Sequence, residues 1–278
     1  MAFDLLSIDR ADVEIELLLA ECGELVRAYR RQDSGCVSYV VELGSHRLFV
    51  KAALSVAGAE SLSRAAALHA AIRHPALPPL LNAFGAVEGP VHVYEWVPGE
   101  ILYDYVAMDG ARGRSDPASA HARFRALPVR HILDSLDVVY DFHEQIASLG
   151  FIAVDFYDGC ILYSFDENRT WVCDLDEYRL GPFTLDAERL PGSRRFMAPE
   201  EFTRGATIDQ RTNVFSLGRA AAILLSDGDV DSDAWRGSDA MREVLVRATS
   251  PRREARFPTV ADFVGAWSAT SRSEAFSG

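Results

Sequence analysis

One stretch of the chain, residues 151–176, constrains the possible fold more than any other. It holds two short apolar runs separated by a turn-rich segment, and this pattern predicts a β-hairpin. Asp155 precedes the first run, whereas Asp174 and Asp176 follow the second. Carboxylates at both ends of a hairpin can converge on one point, where they hold a metal ion and orient a nucleophile. The alternative interpretation is that these acidic residues simply occupy turns.

Composition and charge exclude several classes of function. The net charge of −13 argues against binding to nucleic acid or to an anionic membrane surface. The first ten residues lack the basic flank of a signal peptide, and the longest apolar run, near residues 214–225, is too short to span a bilayer. The four cysteines show no CxxC spacing, which indicates reduced thiols rather than disulfides or zinc ligands. We therefore expect a cytoplasmic protein that binds neither nucleic acid nor membranes.

The chain contains 27 arginines and a single lysine, Lys51. Three strand-like runs, at residues 25–29, 36–43 and 48–52, lie near the N-terminus, and Lys51 stands close to the end of the third. A lysine is a compact point charge that suits contact with nucleotide phosphates, whereas arginine is a planar fork. The sequence therefore favours a functional role for Lys51 over a chance position.

Asp155 to Asp174 resembles the catalytic loop, hairpin and metal-binding aspartate of the protein-kinase-like fold. Cys160 stands where the family usually carries asparagine, and Asp174-Leu175-Asp176 stands in place of Asp-Phe-Gly. Residues 192–200, Gly-Ser-Arg-Arg-Phe-Met-Ala-Pro-Glu, resemble the end of a protein-kinase activation segment, Gly-Thr-x-x-Tyr-Met-Ala-Pro-Glu. The chain is thus similar to divergent bacterial Ser/Thr-protein-kinase-like proteins.

This resemblance implies an α+β, two-lobed protein-kinase-like fold. Residues 1–96 would form a small N-lobe, an antiparallel sheet with one main helix at residues 55–73. Residues 97–278 would form a larger, mostly helical C-lobe. Within that lobe, residues 105–127 are rich in Gly, Arg, Ser and Ala, and we interpret them as a loop.

The resemblance also assigns roles to individual residues. Asp155 and Lys51 would be catalytic, and Asp174 and Asp176 would bind Mg²⁺ or Mn²⁺. The ATP-binding residues implied by the family pattern are Lys51, Gly35, Val37, Glu95 and Val97. The implied partners are a nucleotide and a hydroxyl-bearing protein or small-molecule acceptor.

Several positions depart from the family pattern or preserve it in altered form. Ala65 occupies the place of the glutamate that usually holds the lysine. Asn213 replaces an aspartate that braces the catalytic loop, and Arg256 would pair with Glu200. Two functions therefore compete: an ATP-dependent phosphotransferase, and a pseudokinase that acts as a nucleotide-binding or scaffold module.

Overall fold

The computed structural model describes residues 4–30, 34–103 and 111–275, which belong to two compact units. The first unit comprises the chain up to Pro98 together with the short segment Leu175–Glu177. The second unit comprises Gly99–Asp174 and the chain from Tyr178 onward. The sequence-based boundary at Trp96 did not anticipate that Leu175–Glu177 belongs to the first unit.

An antiparallel five-stranded sheet dominates the first unit, with the spatial order β1-β2-β3-β5-β4. The strands are β1 (Glu24–Tyr29), β2 (Cys36–Leu43), β3 (His46–Ala53), β4 (Leu80–Gly85) and β5 (Pro90–Glu95). Gly44 and Ser45 form the two-residue turn between β2 and β3, and Gly44 has a φ of +62°. The strand-like runs predicted at residues 25–29, 36–43 and 48–52 correspond to β1, β2 and β3.

One helix covers each face of this sheet. Helix α1 (Ile15–Cys22) packs on the face formed by alternate apolar residues such as Leu48 and Val50 of β3. Helix α2 (Val56–Ala71) packs on the other face, where Leu62 contacts Ala53. Alternation along β3 therefore places Lys51 on the same face as α2. The hydroxyl of Ser55 caps α2 by accepting the Gly58 amide N–H at 3.1 Å.

The second unit is mostly helical. Its strands are β6 (Glu100–Ile101), β7 (Phe151–Ile152), β8 (Ile161–Ser164), β9 (Arg169–Val172), β10 (Arg179–Leu180), β11 (Phe183–Thr184) and β12 (Thr207–Ile208). Its helices are α3 (Ala111–Ser115), α4 (Ala120–Arg125), α5 (Val129–Ser148), α6 (Gln210–Leu225), α7 (Asp239–Ala248) and α8 (Val260–Ala275). Strands β8 and β9 form the hairpin that the sequence predicts.

Helices α5, α6 and α8 surround the core of the second unit. The Tyr140 hydroxyl of α5 donates a hydrogen bond to the Leu217 carbonyl of α6 at 3.2 Å. The Tyr140 ring also lies edge-on to Phe263 of α8, with centroids 5.1 Å apart. The Trp267 indole N–H donates to the Asp137 carboxylate at 3.1 Å. These contacts hold α6, whose first turns reach the loop that carries Asp155.

The interpretation of residues 105–127 as a loop is wrong for the part that the structure describes. This part contains the short helices α3 and α4. The Ser119 hydroxyl accepts the Ala122 N–H at 3.1 Å, and Phe124 is fully buried. The sequence interpretation considered only the overall Gly, Arg and Ser content of this segment. It therefore did not recognise Ser119 as a capping residue or Phe124 as a buried residue of the helix.

Two expectations about the whole chain concern membranes and thiols. Within residues 4–30, 34–103 and 111–275, no helix has the length and apolar character needed to cross a lipid bilayer. Cys22, Cys36, Cys160 and Cys173 are all free thiols.

Candidate functional site

Asp155 lies in the loop between β7 and β8, and its backbone has a φ of +63°. A non-glycine residue in this left-handed region is uncommon, and such conformations cluster at functional sites. The loop is held by Asn213 of α6, whose side-chain amide donates to the Ala153 carbonyl at 2.7 Å and accepts from the Ala153 N–H at 2.9 Å. This confirms that Asn213 braces the loop that carries Asp155.

Cys160 forms hydrogen bonds that stabilise the same loop. Its thiol is fully buried and donates to the Asp155 carbonyl at 3.3 Å, and its own carbonyl accepts the Cys173 N–H at 2.9 Å. Burial, together with the nearby carboxylates of Asp174 and Asp155, raises the pKa of the Cys160 thiol. A neutral thiol is a poor ligand for Mg²⁺, so Cys160 has a structural role here.

Asp174 follows β9, and its backbone also has a left-handed φ, +57°. Asp174 is exposed, whereas its neighbours Cys173 and Leu175 are half-buried and buried. The carboxylates of Asp155 and Asp174 both raise the pKa of the Tyr157 phenol, after the larger effect of burial. The hairpin therefore brings these two predicted site residues to one end of the second unit.

The Asp155 loop opens on a small cavity of about 10 Å³, which has room for about one water molecule. The cavity lining includes Asp155, Gly192, Ser193, Glu201 and Ser216. Gly192 has a φ of +138°, and a Cβ atom there would lie 3.4 Å from an Asp155 carboxylate oxygen. The absence of a side chain at Gly192 therefore leaves the Asp155 carboxylate open on this side.

Glu201 is a second carboxyl group on this cavity, and sequence reasoning missed it. The residue is only 4% exposed, and its Oε2 accepts the Ala198 N–H at 2.6 Å. Burial, with the charges of Glu200 and Asp155, raises the pKa of Glu201 to about 8. In the sequence Glu201 is one of two consecutive glutamates, and no spacing marks it as buried.

The neighbouring Glu200 forms the ion pair that the sequence predicts. Arg256, whose side chain is fully buried, donates to both carboxylate oxygens of Glu200, at 2.7 and 2.9 Å. The Thr212 hydroxyl also donates to Glu200 at 2.8 Å. This bidentate pair fixes the segment that contributes Glu201 to the cavity.

Asp158, in the same loop, anchors helices α3 and α4. Its buried carboxylate accepts two hydrogen bonds from Arg114, both at 2.9 Å, and lies 3.2 Å from His121 Nδ1. Burial alone would raise the pKa of Asp158, but the nearby His121 and Arg114 side chains outweigh this effect and lower it. The Asp155 loop is thus held by α6 through Asn213 and by α3 and α4 through Asp158.

In the first unit, Lys51 forms a buried ion pair with Asp176. Both side chains are only 7% exposed. Burial, followed by the charge of Lys51, lowers the pKa of the adjacent His92 to about 4, so this imidazole is neutral at neutral pH. The acidic partner of Lys51 is therefore Asp176, from the Leu175–Glu177 segment.

Helix α2 holds that segment in place. Arg64 Nε donates to the Asp176 carbonyl at 2.9 Å, and Arg64 Nη2 contacts the Glu177 carboxylate at 2.5 Å. The Ser61 hydroxyl also donates to Glu177 at 2.9 Å. These three contacts fix the backbone of Asp176 and the side chain of Glu177. They thereby position the Asp176 carboxylate for its ion pair with Lys51.

Val37 and Gly35, two further residues expected to bind nucleotide, lie at different places in the first unit. Val37 packs in the core on the α1 face, whereas Ser38 lies directly opposite Lys51 across β2 and β3. Val37 and Lys51 therefore lie on opposite faces of the sheet, because side chains alternate along a strand. Gly35 has a φ of +71° in the turn before β2.

Glu95 and Val97 belong to the segment that follows β5. Glu95 is exposed at the end of the strand, and its N–H donates to the Pro79 carbonyl at 3.0 Å. Val97 is buried. The ATP-binding role implied for this segment depends on its backbone groups. The positions of the Glu95 and Val97 side chains therefore do not test that role.

The side chains provide a limited donor set for a metal ion. Among the described residues, no group of three or more His, Cys, Asp or Glu side chains is arranged to hold one. Asp174 supplies an exposed carboxylate, and Mg²⁺ is commonly bound by one or two carboxylates together with substrate phosphates. Asp174 thus fits this minimal arrangement, whereas Asp176 pairs with Lys51 and Cys160 is a buried thiol.

Comparison of the chain with known proteins leaves its family open. No protein-family model matches the sequence. No curated protein matches it at a significant level either.

Proposed function

We propose that this protein is an ATP-dependent phosphotransferase with a protein-kinase-like fold. It would transfer the γ-phosphoryl group to a hydroxyl of a Ser/Thr side chain or of a small molecule. The observation that carries this proposal is the environment of Asp155. This carboxylate occupies a left-handed loop position, is braced through Asn213, and opens on a cavity with Gly192 and Ser193.

In this proposal Asp155 orients the acceptor hydroxyl and accepts its proton as the oxygen attacks the γ-phosphorus. The bond from the γ-phosphorus to the bridging oxygen breaks, and ADP leaves. Lys51 would contact nucleotide phosphates, and Asp174 would hold Mg²⁺. The ion would neutralise charge on the transferred group.

The second candidate is a pseudokinase that binds nucleotide or a protein partner without phosphoryl transfer. The buried Lys51–Asp176 pair favours it, because Lys51 must exchange a buried carboxylate for phosphate before it can serve a nucleotide. The buried Cys160 thiol favours it as well, since the usual second metal ligand is absent from that position.

A binding assay and a matched pair of variants separate the two candidates. Thermal unfolding with ATP, with and without Mg²⁺ or Mn²⁺, tests nucleotide binding. Release of labelled phosphate or labelling of an acceptor tests transfer. Asp155→Asn should keep nucleotide binding and lose turnover by about 10²-fold or more. Asp166→Asn, at the exposed turn of the same hairpin, is the control and should keep full turnover.

The outcomes are distinct. Metal-dependent ATP binding without transfer in the parent protein supports the pseudokinase. Transfer that persists in Asp155→Asn removes this residue from the catalytic role. The absence of any nucleotide effect on unfolding would contradict both candidates as nucleotide-binding proteins.

A further inference from the structure

A group of arginines gathers around Arg195, on the turn that borders the Asp155 cavity. Ser193 and Phe196 line that cavity, and the Phe196 N–H donates to the Ser193 carbonyl at 2.9 Å, which closes the turn. The Arg219 Nε donates to the Arg195 carbonyl at 2.9 Å and fixes the backbone of the turn to α6. A basic group is notable here because the chain as a whole carries a net charge of −13.

The guanidinium of Arg195 has neighbours of its own sign. Burial and the charges of Arg114, Arg219 and Arg125 lower the pKa of Arg195, and Asp158 opposes this effect. An arginine side chain nevertheless stays charged in proteins. A carboxylate, or an anion from outside the chain, would therefore stabilise this charge.

The nearby carboxylate already has partners. Asp158 accepts both hydrogen bonds from Arg114 and lies beside His121. In the part of the chain that the structure describes, Arg195 forms no ion pair, and its Nη1 is buried without a hydrogen-bond acceptor. A buried, charged donor without an acceptor is costly, and an oxyanion at this point would remove that cost.

We propose that Arg195 binds an oxyanion, a phosphate or carboxylate group, on the phosphoryl acceptor. This inference rests on the proposed function, because it names the substrate class of the same site. Asp155 lines the cavity together with Ser193 and Phe196, and Arg195 lies between these two residues in the turn. An acceptor can therefore present its hydroxyl to Asp155 and its anionic group to Arg195. A primed, already phosphorylated substrate and an acidic substrate share this chemistry.

The test measures anion binding without requiring turnover. The thermal unfolding midpoint is recorded with inorganic phosphate or acetate, at constant ionic strength set with NaCl. At a concentration near ten times the dissociation constant, phosphate should raise the midpoint by about 2–6 °C. Arg195→Ala and the more conservative Arg195→Gln should lose this shift. Arg194→Ala is the matched control, since the exposed Arg194 packs on Phe202, and it should keep the shift.

The results separate the inference from the proposed function. A larger shift with phosphate identifies a phosphorylated acceptor, and an equal or larger shift with acetate identifies a carboxylate-bearing one. An unshifted parent protein, or a shift that survives in both Arg195 variants, overturns the anion site. A shift that depends on Arg195 in a protein with no ATP binding supports the anion site and contradicts the phosphotransferase.

Discussion

Replacing Glu201 by glutamine should change how the stability of the protein depends on pH. The glutamine side chain keeps an oxygen that can accept the Ala198 N–H, so the hydrogen bond at 2.6 Å has a substitute. The variant removes only the ionisable group. The groups that face Glu201 are Asp155, Glu200, Arg256 and the Ala198 amide.

The direction follows from the two pKa values of Glu201, 4.5 for the ordinary carboxyl and about 8 in the folded protein. Below pH 4.5 both states hold the proton, and Glu201 contributes no pH dependence. Between these values the unfolded chain releases the proton while the folded protein keeps it, so stability falls as the pH rises. Above the folded value the loss is complete, and it amounts to at most about 5 kcal/mol.

Chemical denaturation of the parent protein and Glu201→Gln at pH 5, 7 and 9 measures this difference. The variant should gain stability relative to the parent by up to about 5 kcal/mol between pH 5 and 9, on the order of 10 °C in thermal midpoint. Glu254→Gln, which removes an exposed acid, is the control and should run parallel to the parent. A constant difference between parent and Glu201→Gln across this range would refute the reasoning.

Three further predictions follow from buried contacts. Asp176→Asn leaves the Lys51 charge without its carboxylate and should lower the free energy of unfolding by about 3–5 kcal/mol, measured by urea denaturation. Asn213→Ala removes both hydrogen bonds to Ala153 and should cost about 2–4 kcal/mol in the same assay; a loss below about 0.5 kcal/mol would contradict the brace. Cys160 should be the slowest of the four cysteines to react with iodoacetamide, followed by mass spectrometry, and faster labelling than at the half-buried thiols would contradict its burial.

The sequence predicted most of the regular structure because the signals for it are local. The β8–β9 hairpin, the three strands β1 to β3 and α2 each follow from local residue patterns with turn or capping residues at their ends. The Arg256–Glu200 pair and the Asn213 brace were also predicted, since both depend on motifs in a fixed order. The two short helices α3 and α4 were missed because five- and six-residue helices carry little periodicity.

The details of the site were less accessible. Asp176 is the partner of Lys51 because Arg64 and Ser61 of α2 hold the adjoining backbone and side chain, and this contact joins positions far apart in the sequence. Glu201 was missed because its significance comes from burial beside Asp155, which no spacing reveals. Arg195 was missed for the same reason, because its charged neighbours are brought together only by the fold.

The placement of Leu175–Glu177 in the first unit has a consequence for synthesis on the ribosome. When the chain up to Pro98 has emerged, the carboxylate that neutralises Lys51 has not been made. About 80 further residues separate Pro98 from this segment, which at typical translation rates means a delay of about 4–16 s. Throughout that interval the nascent sheet either leaves Lys51 in water or buries an uncompensated charge. The N-terminal unit therefore reaches its final stability only after residues 175–177 have also emerged, and chaperones have that long to engage it.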